Sequence, residues 1–382
     1  MGAALKPYPR PSPPSYLLKM TLPVRHRQPL TAAILLTLAL VLSACRGVPL
    51  PPDTPTAAPP TPVTNGELPF TIYLTDPYAS DARQQRHGPD EALVAALDQA
   101  NQSIDMAMLN LNLQSVTTAL LHAYQRGLRV RIVTDSSTLD GAAFRQLAEA
   151  GIPILGDRRE GLMHHKFILL DGKEVWTGSL NLTDSGTYQD HNNLVRLRSA
   201  RIAQDYQTEF DEMFTDDLFG PDSLANTPYP QVTLNGRTVE IYFSPDDGVL
   251  DHLLAQVDNA SQSIHFLAFS FTQDALADAL IDHAQNGVEV LGVMDAEQYR
   301  SNQGGDYDRL RRAGLDVRLD RLPGQMHHKV IILDQQTVVF GSYNFSNSAE
   351  TRNDENVVIV HDAAFAQTFE AEFERIFAQS GD

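Results

Sequence analysis

The segment MHHKFILLDGKEVWTGSLN begins at Met163, and MHHKVIILDQQTVVFGSYN begins at Met326. A chain that repeats a pattern this closely, 163 positions apart, must build the same local structure twice. The likeness extends outward. FTIYLTDP at 70–77 resembles VEIYFSPD at 239–246, with an offset of 169. ALVAALDQANQSIDMAMLNL at 92–111 resembles HLLAQVDNASQSIHFLAFSF at 252–271, and 119–135 resembles 279–295, both offset by 160. The changes of offset give the first copy a longer loop after its opening strand. They give the second copy three extra residues in or near 296–310.

Within each copy, short β-branched runs alternate with helical patterns. In the first, IDMAML reads as a strand, 113–126 as a helix with Gly127 at its C-terminal cap, and RVRIVTD as the next strand. AAFRQLAEAG reads as a helix ending at Gly151, then HHKFILLD, EVWTG and NNLVRLR as strands, then 200–216 as a helix. This alternation predicts an α/β fold: two pseudo-symmetric α/β/α sandwich units with mixed sheets. The expected organisation is unit 1 over 68–218, a linker over 219–238 rich in Pro, Gly and Asn, and unit 2 over 239–382.

The residues kept between the copies are those that carry chemistry. His164-x-Lys166 is followed after four residues by Asp171 and after six more by Gly178-Ser179-x-Asn181. His327-x-Lys329, Asp334 and Gly341-Ser342-x-Asn344 repeat that spacing. FILL and VIIL between Lys and Asp are strands buried on both faces. Period-two alternation places His164 and Lys166 on one side of the chain, and His327 and Lys329 likewise. The Gly-Ser turn is expected to offer backbone N–H groups beside a hydroxyl and an amide. An imidazole, an ammonium and neutral donors suit a phosphate. Displacement at phosphorus through a covalent intermediate uses two histidines, one to attack and one to protonate the leaving oxygen, so two facing copies make one site.

The six-position pattern, matched in full twice, resembles the phospholipase D superfamily, and the likeness covers about residues 68–380. The resemblance implies two units with the active site at their interface. It implies phosphodiester hydrolysis or transfer through a phosphohistidine, with no metal and no cofactor. It assigns His164 and His327 as nucleophile and general acid, Lys166, Lys329, Asn181 and Asn344 as phosphate ligands, and Ser179 and Ser342 as their support. Asp171 and Asp334, at the far ends of their strands, read as structural or supporting. His165 and His328 point to the opposite side of the strand and read as packed or hydrogen-bonded. Aligned without gaps, Glu355 matches Asn192 and Asn353 matches Asp190. The family has an acid near the Glu355 position that orients the opposite histidine. Glu355 is therefore expected to hold His164 as nucleophile, leaving His327, opposite the amide Asn192, as the acid.

Residues 1–44 contain five basic residues and no acid, so the remaining chain carries 24 basic against 48 acidic residues. Such a body repels polyanions at long range. The one cysteine, Cys45, excludes an intramolecular disulfide. It follows a basic stretch and the apolar run TAAILLTLALVL, too short for a comfortable span of about 20 residues. LSAC resembles a bacterial lipobox, which implies a signal peptide over 1–44 (with Met20 as an alternative start), lipidation of Cys45 and an exported, membrane-anchored protein. Residues 45–67, dominated by Pro, Thr and Ala, read as a tether. The expected protein is a monomer with an internal pseudo-dimer that hydrolyses glycerophospholipids. An extracytoplasmic endonuclease, with Arg158, Arg159, Arg300, Arg309 and Arg321 on the nucleic-acid backbone, and a binding protein with vestigial motifs are the alternatives. Leu109, Leu111, Phe269 and Phe271 lie at strand ends, as core or as apolar contacts for a lipid.

Overall fold

The structure is a computed structural model that describes residues 70–301 and 305–381. The expected signal peptide, Cys45 and the tether lie outside the described residues. Both copies belong to one compact unit.

The first copy runs β1 (Phe70–Leu74), α1 (Pro89–Gln99), β2 (Ser103–Met108), α2 (Gln114–Gln125), β3 (Arg129–Thr134), α3 (Ala142–Glu149), β4 (Ile154–Gly156), β5 (Lys166–Leu170), β6 (Glu174–Gly178), α4 (Asp184–Tyr188), β7 (Asn193–Arg198) and α5 (Ala200–Asp216). Its sheet has the order β1-β7-β6-β5-β2-β3-β4, with β2, β3 and β4 parallel and the other neighbours antiparallel. The second copy runs β8 (Gln231–Leu234), β9 (Arg237–Ser244), α6 (Val249–Asp258), β10 (Ser263–Ala268), α7 (Asp274–Gln285), β11 (Glu289–Met294), α8 (Ala296–Ser301), α9 (Tyr307–Arg312), β12 (Asp316–Leu319), β13 (Lys329–Leu333), β14 (Thr337–Gly341), α10 (Asn347–Thr351), β15 (Glu355–His361) and α11 (Ala363–Gln379). Its sheet order, β12-β11-β10-β13-β14-β15-β9-β8, repeats the first with one added edge strand.

Those differences fall where the offsets change. The loop between β1 and α1 spans 75–88, against 245–248 between β9 and α6. Helix α8 occupies the insertion near 296–310. The segment 219–238 is not a bare linker, because β8 lies in it and pairs with β9 across a two-residue turn at Asn235 and Gly236. Both turn residues have positive φ, 48° and 79°. Asn-Gly is the dipeptide that adopts this turn most readily, so the hairpin was encoded in LNGR.

Each sheet is covered on two faces. Helices α1, α2 and α3 enclose one apolar core against the first sheet, and α6, α7 and α9 enclose the equivalent core against the second. Helices α5 and α11 cover the other faces. They start on matching caps: Ser199 and Asp362 accept backbone N–H groups from Ile202 and Phe365. Ile202, Tyr206, Phe210 and Met213 of α5 recur as Phe365, Phe369, Phe373 and Ile376 of α11, each 163 positions on. They join a third core that runs continuously through both sheets. At about 1.5–3 kcal/mol for each large side chain fully buried, this shared core locks the halves together.

Asp171 and Asp334 sit just past the ends of β5 and β13, with φ near 50°, a conformation Asp tolerates. Asp171 accepts backbone N–H groups from Asn101, Gln102 and Ser103 at 2.7–3.1 Å. Asp334 does the same for Ser261, Gln262 and Ser263. Each carboxylate thus anchors the entry to β2 or β10, far along the strand from the histidine. These N–H groups hold both carboxyls below the usual aspartate range, against the opposing effect of burial. Asp171→Ala is expected to lower stability by about 1–2 kcal/mol in urea unfolding. Because the folded-state value is depressed, that difference should be present above the unfolded value of 3.8 and vanish as pH falls through the folded one.

Candidate active site

The site is built from two ribbons in which each copy's His-x-Lys segment pairs with the other copy. Met163 bridges to Asp354, and Met326 bridges to His191, both parallel. His164 N–H donates to Asp354 O at 3.0 Å, and His327 N–H donates to His191 O at 2.9 Å. The ends of β3 and β11 anchor the same segments: Asp135 accepts from Met163 N–H and Asp295 from Met326 N–H. The backbone of each histidine is therefore fixed from both copies.

The side chains follow. His164 Nδ1 lies 2.6 Å from Glu355 Oε2. His327 Nδ1 lies 2.9 Å from Asn192 Oδ1. Glu355 opens β15 and Asn192 immediately precedes β7, so each orienting group belongs to the copy opposite its histidine. With Nδ1–H donated to these oxygens, each Nε2 is left with its lone pair. Lys166 Nζ donates to His164 O and Lys329 Nζ to His327 O, each at 2.8 Å, which leaves two donors on each ammonium. Both lysines are 1% exposed. Lys329 lies 4.6 Å from the centre of the Phe269 ring, which also packs against His327.

The supporting residues divide. Ser179 Oγ donates to Asn192 Oδ1 at 2.8 Å, fixing the amide that faces His327. Ser342 bonds Glu355 and accepts Asn356 N–H in the equivalent place. The expected free backbone N–H groups at the Gly-Ser turn are not free. Ser179 and Leu180 donate to Asn193 O, and Ser342 donates to Asn356 O, because the turn remains zipped to β7 and β15. The Oδ1 atoms of Asn181 and Asn344 are buried without a hydrogen-bond partner. Rotating the last side-chain torsion exchanges that acceptor for the amide's two donors. Leu111 and Phe271 are core, whereas Leu109 and Phe269 are half-buried.

Residues that the motif did not specify complete the setting. His165 Nε2 donates to Glu209 of α5 at 2.8 Å, and its Nδ1 faces the Asn356 amide at 3.3 Å. His328 repeats this with Glu372 of α11 and Asn193. Glu209 and Glu372 are again 163 positions apart, so the repeat offset would have found them. Asp190, two residues before Asn192, is buried and accepts Gln325 N–H. Burial pushes its carboxyl up to about 6.

Burial also keeps the imidazoles neutral. His164 is held at about 4, with desolvation outweighing the Glu355 carboxylate that raises it. His327 is also lowered well below its usual value, by desolvation and by Lys329, Lys166 and His164, with no carboxylate among its causes. Desolvation takes Lys166 down to about 7 and lowers Lys329 strongly. Lys166 acts on Lys329 and Lys329 on His164, so the four side chains share one electrostatic site. Glu355 stays anionic, held low by His164 and Lys166 against its own desolvation. Replacing it in Glu355→Gln should move the His164 titration below 4, read from imidazole nitrogen chemical shifts. It should leave His327, which faces Asn192, nearly unchanged.

Residues 93–214 and 253–377 match the family described as cardiolipin synthase, PLD-like domain. The chain is 33% identical over 162 residues to a phospholipase D of Rickettsia bellii, covering 40% of this chain and 79% of that protein. It is 37% identical over 133 residues to the human mitochondrial cardiolipin hydrolase, covering 35% of this chain and 52% of that protein. The solved phosphatidylserine synthase of Haemophilus influenzae has a similar fold, with TM-score 0.58 and 14% identity over 76% of this chain and 84% of that one. Matched across both of its copies, the chain belongs to the phospholipase D superfamily of phosphodiesterases.

Proposed function

We propose that the protein hydrolyses glycerophospholipids through a phosphohistidine on His164, with His327 as general acid and then general base. The observation that carries this reading is the unequal pairing of the histidines: His164 with the Glu355 carboxylate, His327 with the Asn192 amide. A carboxylate on Nδ1 raises the basicity of Nε2 and stabilises positive charge as the nitrogen bonds to phosphorus. An amide gives no such stabilisation, so His327 releases its proton more readily. In the first step, the His164 Nε2 lone pair attacks phosphorus, the bond to the leaving oxygen breaks, and the His327 proton passes to that oxygen. In the second, neutral His327 takes a proton from water, the water oxygen bonds to phosphorus, and the P–N electrons return to His164. Lys166, Lys329, Asn181 and Asn344 would hold the phosphate oxygens, with Ser179, Ser342 and Asn192 supporting them.

Three observations favour lipid over nucleic acid. Arg158, Arg159 and Arg309 are committed to Asp217, Asp222 and Asp278, which removes three of the five candidate backbone contacts. Leu109 and Phe269 present half-buried apolar surface beside the site. The chain is similar to relatives named phospholipase D and mitochondrial cardiolipin hydrolase. Lipidated Cys45 and the Pro-, Thr- and Ala-rich tether would hold the monomer against an extracytoplasmic membrane face, within reach of such substrates.

The purified chain from residue 46, tested without added metal on phosphatidylcholine, cardiolipin and single-stranded DNA, should turn over lipid. DNA cleavage without lipid turnover would sink the lipid reading. Phosphoenzyme should be trapped in His327→Asn and absent in His164→Asn, and the reverse pattern would exchange the two roles. Each substitution is expected to lower kcat by about 100-fold or more. The pH profile of kcat/KM should fall below about 4 as His164 protonates, and on its alkaline side first as His327 loses its proton and then, near 7, as Lys166 loses its charge. The alkaline limb of kcat should lie higher, because bound phosphate favours the ammonium.

A further inference from the structure

The two cross-copy ribbons end differently. On the His164 side, the ribbon ends at Gly161 and Arg352, and the segment around Gly220 closes over it. A Cβ at Gly161 or Gly220 would meet the Arg352 carbonyl oxygen at 2.2 or 2.7 Å. Arg159 ties this cover down through Phe219 O and Asp222. On the His327 side, the equivalent ribbon ends at Gly324 and Gln189, packed equally tightly: a Cβ at Gly324 would lie 2.0 Å from Gln189 O. Here the 75–88 loop, longer than its counterpart, stands across a cavity of about 540 Å³.

This cavity lies three residues along the chain from His327, about 10 Å at extended spacing, and three from Asn192. In-line displacement puts the leaving oxygen opposite the attacking nitrogen, beside the acid. With His164 attacking, the departing alcohol therefore lies on the side of this cavity. Its lining residues include Arg83, Gln84, Gln85, Gln189 and Tyr78. No carboxylate stands among the described lining residues. Tyr188, the other aromatic, is 7% exposed, and its hydroxyl donates to Asp90. Asp76 and Asp320 act on Tyr78, and Asp190 packs against Gly324, but behind the lining; an ammonium head group would meet the Arg83 side of the cavity and no aromatic cage. A group of hydroxyls would meet several donors and acceptors.

We propose that this cavity receives the leaving alcohol and selects an uncharged polyhydroxylated head group, such as glycerol, over an ammonium one. The proposal rests on the phosphodiesterase reading above. The test compares initial rates on phosphatidylglycerol and phosphatidylcholine in neutral detergent micelles. Soluble bis(para-nitrophenyl) phosphate, whose leaving group does not need the cavity, serves as the control. The full chain should favour phosphatidylglycerol by about 10-fold or more in kcat/KM. Arg83→Ala with Gln189→Ala should remove most of that preference through KM while leaving turnover of the nitrophenyl ester unchanged, which also reports a folded site. A preference for phosphatidylcholine, or a preference for phosphatidylglycerol that survives the double substitution, would overturn the cavity assignment alone. No turnover of any of the three substrates by the unaltered chain would overturn the phosphodiesterase reading with it.

Discussion

The His164–Glu355 hydrogen bond joins residues 191 positions apart, and the rest of the site is arranged around such crossed contacts. His164, His165, His327, His328, Lys166, Lys329 and Glu355 are all buried where the copies meet. Burying any one of these alone would cost several kcal/mol. Each copy lacks the partners for its own polar strand end and finds them on the other: His164 on Glu355, His165 on Asn356, His327 on Asn192, His328 on Asn193. An isolated copy would expose an apolar face of its sheet and leave the His-x-Lys segment without its orienting groups. Folding of the shared core and completion of the site are thus one event.

The crossed contacts do not balance the lysines. Two buried ammoniums face one close carboxylate; desolvation drives both lysine pKa values down, Lys166 lowers Lys329 further, and Glu355 offsets only part of the effect. A phosphodiester monoanion supplies the missing charge. Binding would favour both ammoniums and raise both imidazoles, which eases the protonation that the proposed acid His327 needs. The free site is electrostatically incomplete, which is a feature of a binding site and not of an ion-pair network built for stability.

The fold was legible in the sequence because a repeat tests itself: each strand or helix pattern of the first copy was checked by the second. The His-x-Lys, Asp and Gly-Ser-x-Asn positions were legible for the same reason, and so was the inequality of Glu355 and Asn192. What stayed hidden depended on how the copies cross. Glu209 and Glu372 lie on helices whose polar residues look solvent-facing until the helix is seen to cover the second histidine. The backbone N–H groups of the Gly-Ser turn looked available because the pattern does not show that β7 and β15 hold them. The β8 hairpin was obscured by the prolines around it, although its Asn-Gly turn was present. The symmetry also breaks in places no motif marks. Thr177 and Tyr206 donate to Asn356 Oδ1, whereas their counterparts Phe340 and Phe369 carry no hydroxyl, and Asn193 Oδ1 has no partner. The histidine network next to the proposed nucleophile is consequently the better fixed of the two.

The acidic body and the positive site pull in opposite directions on a substrate. Within a Debye length of about 8 Å at physiological salt, the lysine pair dominates; beyond it, the excess of acidic residues does. A long polyanion would have to lay many phosphates along the acidic surface to place one in the site, and Arg158, Arg159 and Arg309 are already engaged by aspartates. A lipid head group presents its phosphate singly, with an acyl chain region that can meet Leu109 and Phe269. Holding the body at a membrane by a tether would raise the local concentration of such phosphates without any basic surface. A chain anchored in this way can keep an acidic exterior and still bring a phosphate anion to two buried lysines.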